Sequence, residues 1–143
     1  MTVIDANVLL YAYNADAPKH QAAMKWLSDL VESGETIALP WITLWAFVRI
    51  ATNSRIWERP MSASRAFEIV NKWLELPDII LLTPGPRHLE VLQRLVLEHN
   101  CVGPLVTDAV LAAHSLEKGA TLASTDHDFA RFSGLRRVNP LKP

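Results

Sequence analysis

The sequence predicts an α/β fold: a central parallel sheet of four to five short strands with helices on both faces. Three observations carry this prediction. Short apolar runs recur at residues 2–4, 36–39, 79–82 and 120–123. Between them lie longer stretches with apolar residues at helical spacing. Gly, Pro, Ser and Asp punctuate the joins. Short strands alternating with longer helices are the pattern of βαβ units, whose crossovers place helices over both faces of a parallel sheet.

The first strand, 2–4, runs straight into Asp5, and residues 8–13 read as a helical turn. Asp16-Ala17-Pro18 reads as a helix start, with Asp16 near the cap and Pro18 in the first turn. Ala22, Trp26, Leu27, Leu30 and Val31 give that helix its apolar face, and Ser33-Gly34 ends it. Residues 36–39 form a second strand ended by Pro40. The stretch 41–52 is apolar nearly all round, which predicts a buried helix. Residues 54–60 read as a loop. Ser62 caps a helix with Ala66, Ile69, Val70, Trp73 and Leu74 on one face, broken by Pro77-Asp78. A strand at 79–82 ends in Thr83-Pro84-Gly85-Pro86. Residues 88–98 are helical, with Leu89, Leu92, Leu95 and Val96 inward. Gly103-Pro104 opens a helix over 105–118 with Asp108 in its first turn, and Gly119 closes it. A strand at 120–123 leads into Ser124-Thr125-Asp126 and a short last helix. Arg137-Val138 reads as an edge strand.

Composition narrows the function. The chain of 143 residues suits one domain, 1–143, and can bury roughly two thirds of its unfolded surface. With 15 acidic and 14 basic residues the net charge is −1, which excludes a globally basic nucleic-acid binder but not a local basic rim. A single cysteine, Cys101, permits no intrachain disulfide. No apolar run approaches the ~18–20 residues of a membrane span, and Met1-Thr2-Val3-Ile4 meets Asp5 where a leader would continue. A cytoplasmic protein that does not engage membranes is expected.

In open parallel sheets, sites collect beyond the carboxyl ends of the strands. Asp5, Asp126 and, near a helix start, Asp108 fall there. Singly, each reads as a helix cap, and Thr125 with Asp128 resembles a capping box. Jointly they suggest more. Converging carboxylates repel, and one takes up a proton unless a cation is present. Hard oxygen donors without Cys or His select Mg²⁺ or Mn²⁺ over zinc. Such a site can activate water and stabilise the charge that builds on a phosphodiester. Asn7 could hold a carboxylate in position, as could Thr107 and Thr125, for which ordinary turn chemistry is the simpler reading.

Val3-Ile4-Asp5-Ala6-Asn7-Val8-Leu9, Thr107-Asp108-Ala109-Val110-Leu111-Ala112-Ala113 and Leu122-Ala123-Ser124-Thr125-Asp126-His127-Asp128-Phe129 together resemble the PIN-domain nucleases, and more narrowly the VapC-type toxins of bacterial toxin–antitoxin pairs. The resemblance runs in order along nearly the whole chain. It implies a three-layer α/β/α fold, Mg²⁺- or Mn²⁺-dependent endoribonuclease activity, a homodimer, and a VapB-like antitoxin whose tail blocks the site. Asp5, Asp108 and Asp126 match the family's first, third and fourth carboxylates, as catalytic and metal-holding residues. Asp128 matches an assisting position, and Asn7 the polar position beside the first acid.

One position departs from that pattern. The family usually places a Glu in a helix reading roughly Leu-x-Glu-Phe-x-Arg, whereas this chain has Leu44-Trp45-Ala46-Phe47-Val48-Arg49. Ala46 offers no ligand atom. Three readings compete: a branch that lacks this acid yet keeps the Phe47-to-Asn53 signature, a Glu altered to Ala to disarm a toxic protein, or a weak natural enzyme. With Asp5, Asp108 and Asp126 alone, one ion is held and a second poorly. Thr43, one turn before Ala46 on the same face, is a candidate to contribute through a water.

Arg49, Arg55 and Arg59, interleaved with Trp57 and followed by Arg65, read either as an RNA rim with Trp57 stacking on a base or as a solvated face with one packing Trp. Arg49 could instead pair with a site carboxylate. Arg131, Arg136 and Arg137 read as solvated surface. Trp26, Trp41, Trp45 and Trp73 read as core or dimer interface. His127 reads as a solvent-facing histidine at a helix start. His20, His88, His99 and His114 show no ligand spacing with any Cys or acid, and Cys101 reads as a buried structural thiol.

Other acidic α/β sites fit less well. An aspartyl-phosphatase needs a second Asp where Asn7 stands, and a receiver domain needs a Lys that 120–125 lacks. The remaining alternative is a PIN-fold binding module that lost its chemistry at Ala46. Introducing the acid separates the two. An RNA-cleavage assay that finds divalent-dependent activity only after Ala46→Glu identifies a binder or a disarmed toxin, whereas activity already present with Ala46 identifies an enzyme.

Overall fold

Parallel pairing organises the whole chain. A computed structural model describes residues 1–142, so the last residue of the expected domain 1–143 lies outside the described residues. In chain order the elements are β1 (Thr2–Ile4), α1 (Ala6–Tyr13), α2 (His20–Glu32), β2 (Ile37–Pro40), α3 (Trp41–Ala51), α4 (Ala63–Glu75), β3 (Ile79–Leu82), α5 (His88–Glu98), α6 (Pro104–Lys118), β4 (Thr121–Ala123), a 3-10 helix (His127–Arg131) and β5 (Arg136–Val138). The five strands form one parallel sheet in the order β3-β2-β1-β4-β5. Successive strands step outward from β1 on one side through β2 and β3, and on the other through β4 and β5. The strand order therefore switches at the β1/β4 pair, where sheets of this kind open a crevice.

Alternation along the strands splits the core into two layers. Ile4, Ile37, Leu39 and Ile79 pack with Val8 and Leu9 of α1, Phe47 of α3 and Ile69 and Trp73 of α4. Val3, Ala38, Leu82 and Leu122 face the other way, against Val91 and Leu95 of α5, Leu111 of α6, and Phe129. The result is the expected α/β/α layering. On the first side Tyr13, Phe47 and Trp73 meet edge to face, and Trp73 Nε1 donates to Tyr13 Oη at 2.7 Å. Among the described residues no helix is long and apolar enough to cross a membrane.

Several expectations change in detail. Residues 6–13 form a full helix, not a turn. Helix α2 starts at His20, after turns over 15–19, and Asp16 pairs with Arg59 instead of capping it. Its buried alanine is Ala23, while Ala22 is exposed. Helix α3 is not buried all round. Thr43, Leu44, Phe47 and Ala51 face the core, whereas Trp41 and Trp45 are 42% and 65% exposed, with ring centroids 6.1 Å apart. A helix with one covered face must present its remaining apolar residues to solvent or to another molecule. In α5 Leu92, Leu95 and Val96 face the core as expected, joined by Val91, whereas Leu89 is exposed. Asp108 sits in the second turn of α6, since that helix begins at Pro104.

Trp57 is a core residue and not a base-stacking one. The loop after α3 folds back, with Trp57 N–H donating to Asn53 O at 3.0 Å and Met61 N–H to Ala51 O at 2.8 Å. This leaves the indole 6% exposed among the α3 and α4 side chains. Thr43 likewise has no free hydroxyl. Its Oγ1 donates to Ile4 O at 2.8 Å and is buried. It thus locks α3 to the last residue of β1 and does not reach the site through water. Cys101 is buried, as expected.

Replacing Thr43 by Val leaves the Ile4 carbonyl buried without that donor, so the expected loss is about 1–3 kcal/mol of folding stability, read from urea unfolding. A loss below the error of that measurement contradicts the anchoring role.

Candidate functional site

The site assembles where β1 and β4 end. Ile4 is paired with Ala123, so the residues that follow, Asp5 and Ser124, emerge side by side. Asp5 N–H donates to Ala123 O at 3.0 Å, and Asp5 stands at the N-cap position of α1, yet its carboxylate makes no capping hydrogen bond. Ser124 Oγ donates to Asp5 Oδ2 at 2.7 Å and accepts from Asn7 Nδ2 at 3.3 Å and from Asp126 N–H at 3.1 Å. Asn7 Oδ1 accepts from Thr125 N–H at 3.4 Å. Asn7 therefore does orient the site, through Ser124.

Ser124 is the residue that sequence reasoning missed. It looks like ordinary helix-start chemistry, and the visible signal was only its place directly after β4. Thr125 enters through its backbone, and Thr107 is exposed. The capping expectation at 125–128 shifts by one residue. Asp126, not Thr125, caps the 3-10 helix, accepting from Asp128 N–H at 2.8 Å.

Helix α6 delivers Asp108 to the same place. Asp108, Asp126 and Asp128 each present an atom within 4.8 Å of the others. Burial pushes the Asp108 carboxyl up to about 6, with the charges of Asp126, Asp5 and Asp128 adding to the shift and Arg131 opposing it. Burial also raises Asp5. The Ser124 hydrogen bond opposes that shift, and the charge of Asp126 adds to it. Asp5 thus joins the cluster electrostatically and through Ser124, while Asp128 belongs to its centre. Arg131 offers the cluster one cation, with its Nη2 3.6 Å from Asp128 Oδ1. Four carboxylates against one half-exposed guanidinium leave excess negative charge. An all-oxygen donor set of this kind fits a hard divalent cation.

The basic candidates separate. Arg49 and Arg55 are exposed and form no ion pair among the described residues, so Arg49 does not pair with a site carboxylate. Arg59 is held by Asp16, its Nε donating to Asp16 Oδ2 at 3.0 Å. Trp57 is unavailable. Ala46 is partly buried on α3, three residues after the Thr43 anchor, and contributes no donor atom.

The histidines give a second correction. His88 Nδ1 lies 2.9 Å from Glu117 Oε1, and His88 and His114 have ring centroids 4.4 Å apart. Two residues read as lacking ligand spacing therefore lie beside one buried acid, and His88 is bonded to it. The local signal was the spacing of His114 and Glu117, three apart on one helix face. Burial, and then the neighbouring His88, push His114 down to about 4.

Comparison with known proteins places the chain. The PIN domain family profile matches residues 2–135. Ribonuclease VapC33 of Mycobacterium tuberculosis is 39% identical over 142 residues, covering 99% of each chain. Two of the solved structures that share the fold illustrate the match. One is VapBC2 from Rickettsia felis bound to a promoter DNA fragment, with TM-score 0.72, 18% identity and coverage of 96% of this chain and 97% of that one. The other is VapC20 of Mycobacterium tuberculosis, described as a sarcin-ricin loop cleaving toxin, with TM-score 0.72, 16% identity and coverage of 98% and 100%.

Two solution measurements follow from the geometry. A proton on Asp108 competes with a bound cation, so Mn²⁺ affinity measured by calorimetry should be about tenfold weaker at pH 5 than at pH 7, the drop falling through about pH 6. A flat profile across that range contradicts a ligand role for Asp108. Ser124→Ala should weaken Mn²⁺ binding by about 10–100-fold while the fold, read by circular dichroism, is retained. Unchanged affinity contradicts its positioning role.

Proposed function

This chain belongs to the PIN-domain family, and from that membership and the convergence of its carboxylates we propose that it is a VapC-type ribonuclease toxin that cleaves RNA phosphodiesters using a bound divalent cation. The observation that carries the reading is the meeting of Asp108, Asp126 and Asp128 beside Asp5. The near-full-length similarity to a named ribonuclease supports an active enzyme over a binding module.

Asp108, Asp126 and Asp128 would hold the ion, with Asp5 beside them. The ion supplies neutralisation of the charge that builds on the phosphodiester and lowers the pKa of the attacking water. Mg²⁺ or Mn²⁺ fits the donor chemistry, and either keeps open positions for substrate oxygens. Ser124 keeps one oxygen of Asp5 fixed by donating to it, and Asn7 fixes Ser124 in turn. Asp126 is held because its own cap bond to Asp128 N–H orients it. Arg131 tempers the repulsion without filling the site. With Ala46 in place of a carboxylate, the chain holds one ion well and a second poorly, which lowers activity relative to relatives with an acid there. Arg49 and Arg55 are exposed, unpaired cations that meet RNA phosphates.

The chain works as one cytoplasmic domain, paired with a VapB-like antitoxin. The exposed Trp41 and Trp45 support a homodimer, because two neighbouring indoles on a helix surface are costly to leave in water.

Asp108→Asn keeps the shape of the residue and removes its charge. Mg²⁺- or Mn²⁺-dependent RNA cleavage should fall by at least about a hundredfold, and growth arrest on expression should disappear. Cleavage persisting at the natural rate rejects this assignment.

A further inference from the structure

We propose that His88, His114 and Glu117 form a second cation site that takes one Zn²⁺-type ion per chain and ties the start of α5 to the C-terminal half of α6. The site lies outside the carboxylate cluster and is independent of the nuclease reading.

The three side chains each present a ligand atom within 4.8 Å of the others. All three are largely withdrawn from water: the His88 side chain is 12% exposed, that of Glu117 5%, and His114 is 4% exposed. The sequence builds this pocket deliberately from two directions. His114 and Glu117 are three residues apart on α6 and share a face. His88 is the first residue of α5, delivered by the turn at 83–87. Gly85 makes room for the acid. Its N–H donates to Glu117 Oε1 at 3.3 Å, and a Cβ at residue 85 would collide with Glu117 Oε2. Any larger residue there would displace the carboxylate.

An ordinary ion pair accounts for His88 and Glu117 but leaves His114 unexplained. Its ring packs 4.4 Å from that of His88 at 43°, a place where an apolar side chain would carry no desolvation cost. A cation explains all three. Two imidazoles and one carboxylate are the donors of a borderline metal such as Zn²⁺, in contrast to the all-carboxylate cluster, which suits harder ions. Three protein ligands leave the fourth tetrahedral position to a water, which the remaining exposure of His88 admits. A pocket this closed has no room for a polymeric substrate, so the ion's role is to join two helices.

The test uses tag-free, full-length protein stripped of metal and titrated with Zn²⁺ and with Co²⁺ as a spectroscopic probe. The expected result is one tightly bound Zn²⁺ per chain, visible Co²⁺ absorption of a tetrahedral kind, and a Tm raised by about 5 °C or more at saturating Zn²⁺. Asp108→Asn should keep all three, and His88→Gln should lose them while remaining folded by circular dichroism. Should His88→Gln unfold, Glu117→Gln serves as the second variant, with the same losses expected. Absence of stoichiometric Zn²⁺ in the natural chain, survival of the Co²⁺ spectrum in a folded His88→Gln or Glu117→Gln variant, or its disappearance in Asp108→Asn each overturns the proposal.

Discussion

Register between β1 and β4 puts Ile4 opposite Ala123, and everything at the site follows from that pairing. Two chain segments more than a hundred residues apart leave the sheet together at the carboxyl ends of central strands and carry Asp5 and Ser124 into contact. Once there, the acids cannot avoid each other. Repulsion adds to burial in lifting Asp108 to about 6, so below that pH the cluster takes up a proton, and above it a cation would relieve the repulsion. An acidic pocket able to hold a cation is therefore prepared by strand pairing and by α6 before any ligand arrives.

The fold supports this arrangement from behind. Thr43 spends its hydroxyl on the carbonyl of Ile4, one residue ahead of Asp5, so α3 braces the strand end. Helix α6 contributes Asp108 near one end and His114 with Glu117 toward the other, and it packs against α5 throughout. The same helix thus contributes to two clusters of different chemistry, Asp108 to the carboxylates beyond β1 and β4, and His114 with Glu117 to the group that includes His88.

Much of this was legible in the residues themselves. Strand runs, helix ends and the three principal aspartates lie in short local patterns, and apolar alternation assigns each strand's two faces. What escaped depends on distant partners. Whether Asp16 caps a helix or pairs with Arg59 is decided by a residue 43 positions away. Trp41 and Trp45 look the same as buried tryptophans in a helix apolar on all sides, and only the packing of Thr43, Leu44 and Phe47 turns them outward. Trp57 reads as an RNA contact until the loop folds over it. Ser124 carries no distinctive spacing, because its importance comes from three partners that only the fold assembles. His88 and Glu117 meet across two helices, which no linear spacing records.

Anomalous diffraction at the manganese edge, from crystals soaked in Mn²⁺, addresses the carboxylate centre without relying on activity. One peak bounded by the side chains of Asp108, Asp126 and Asp128, with Asp5 adjoining, is the predicted result. A fully ordered site with no peak there, or an ion bound only at some other surface, would contradict the metal centre and the nuclease chemistry built on it.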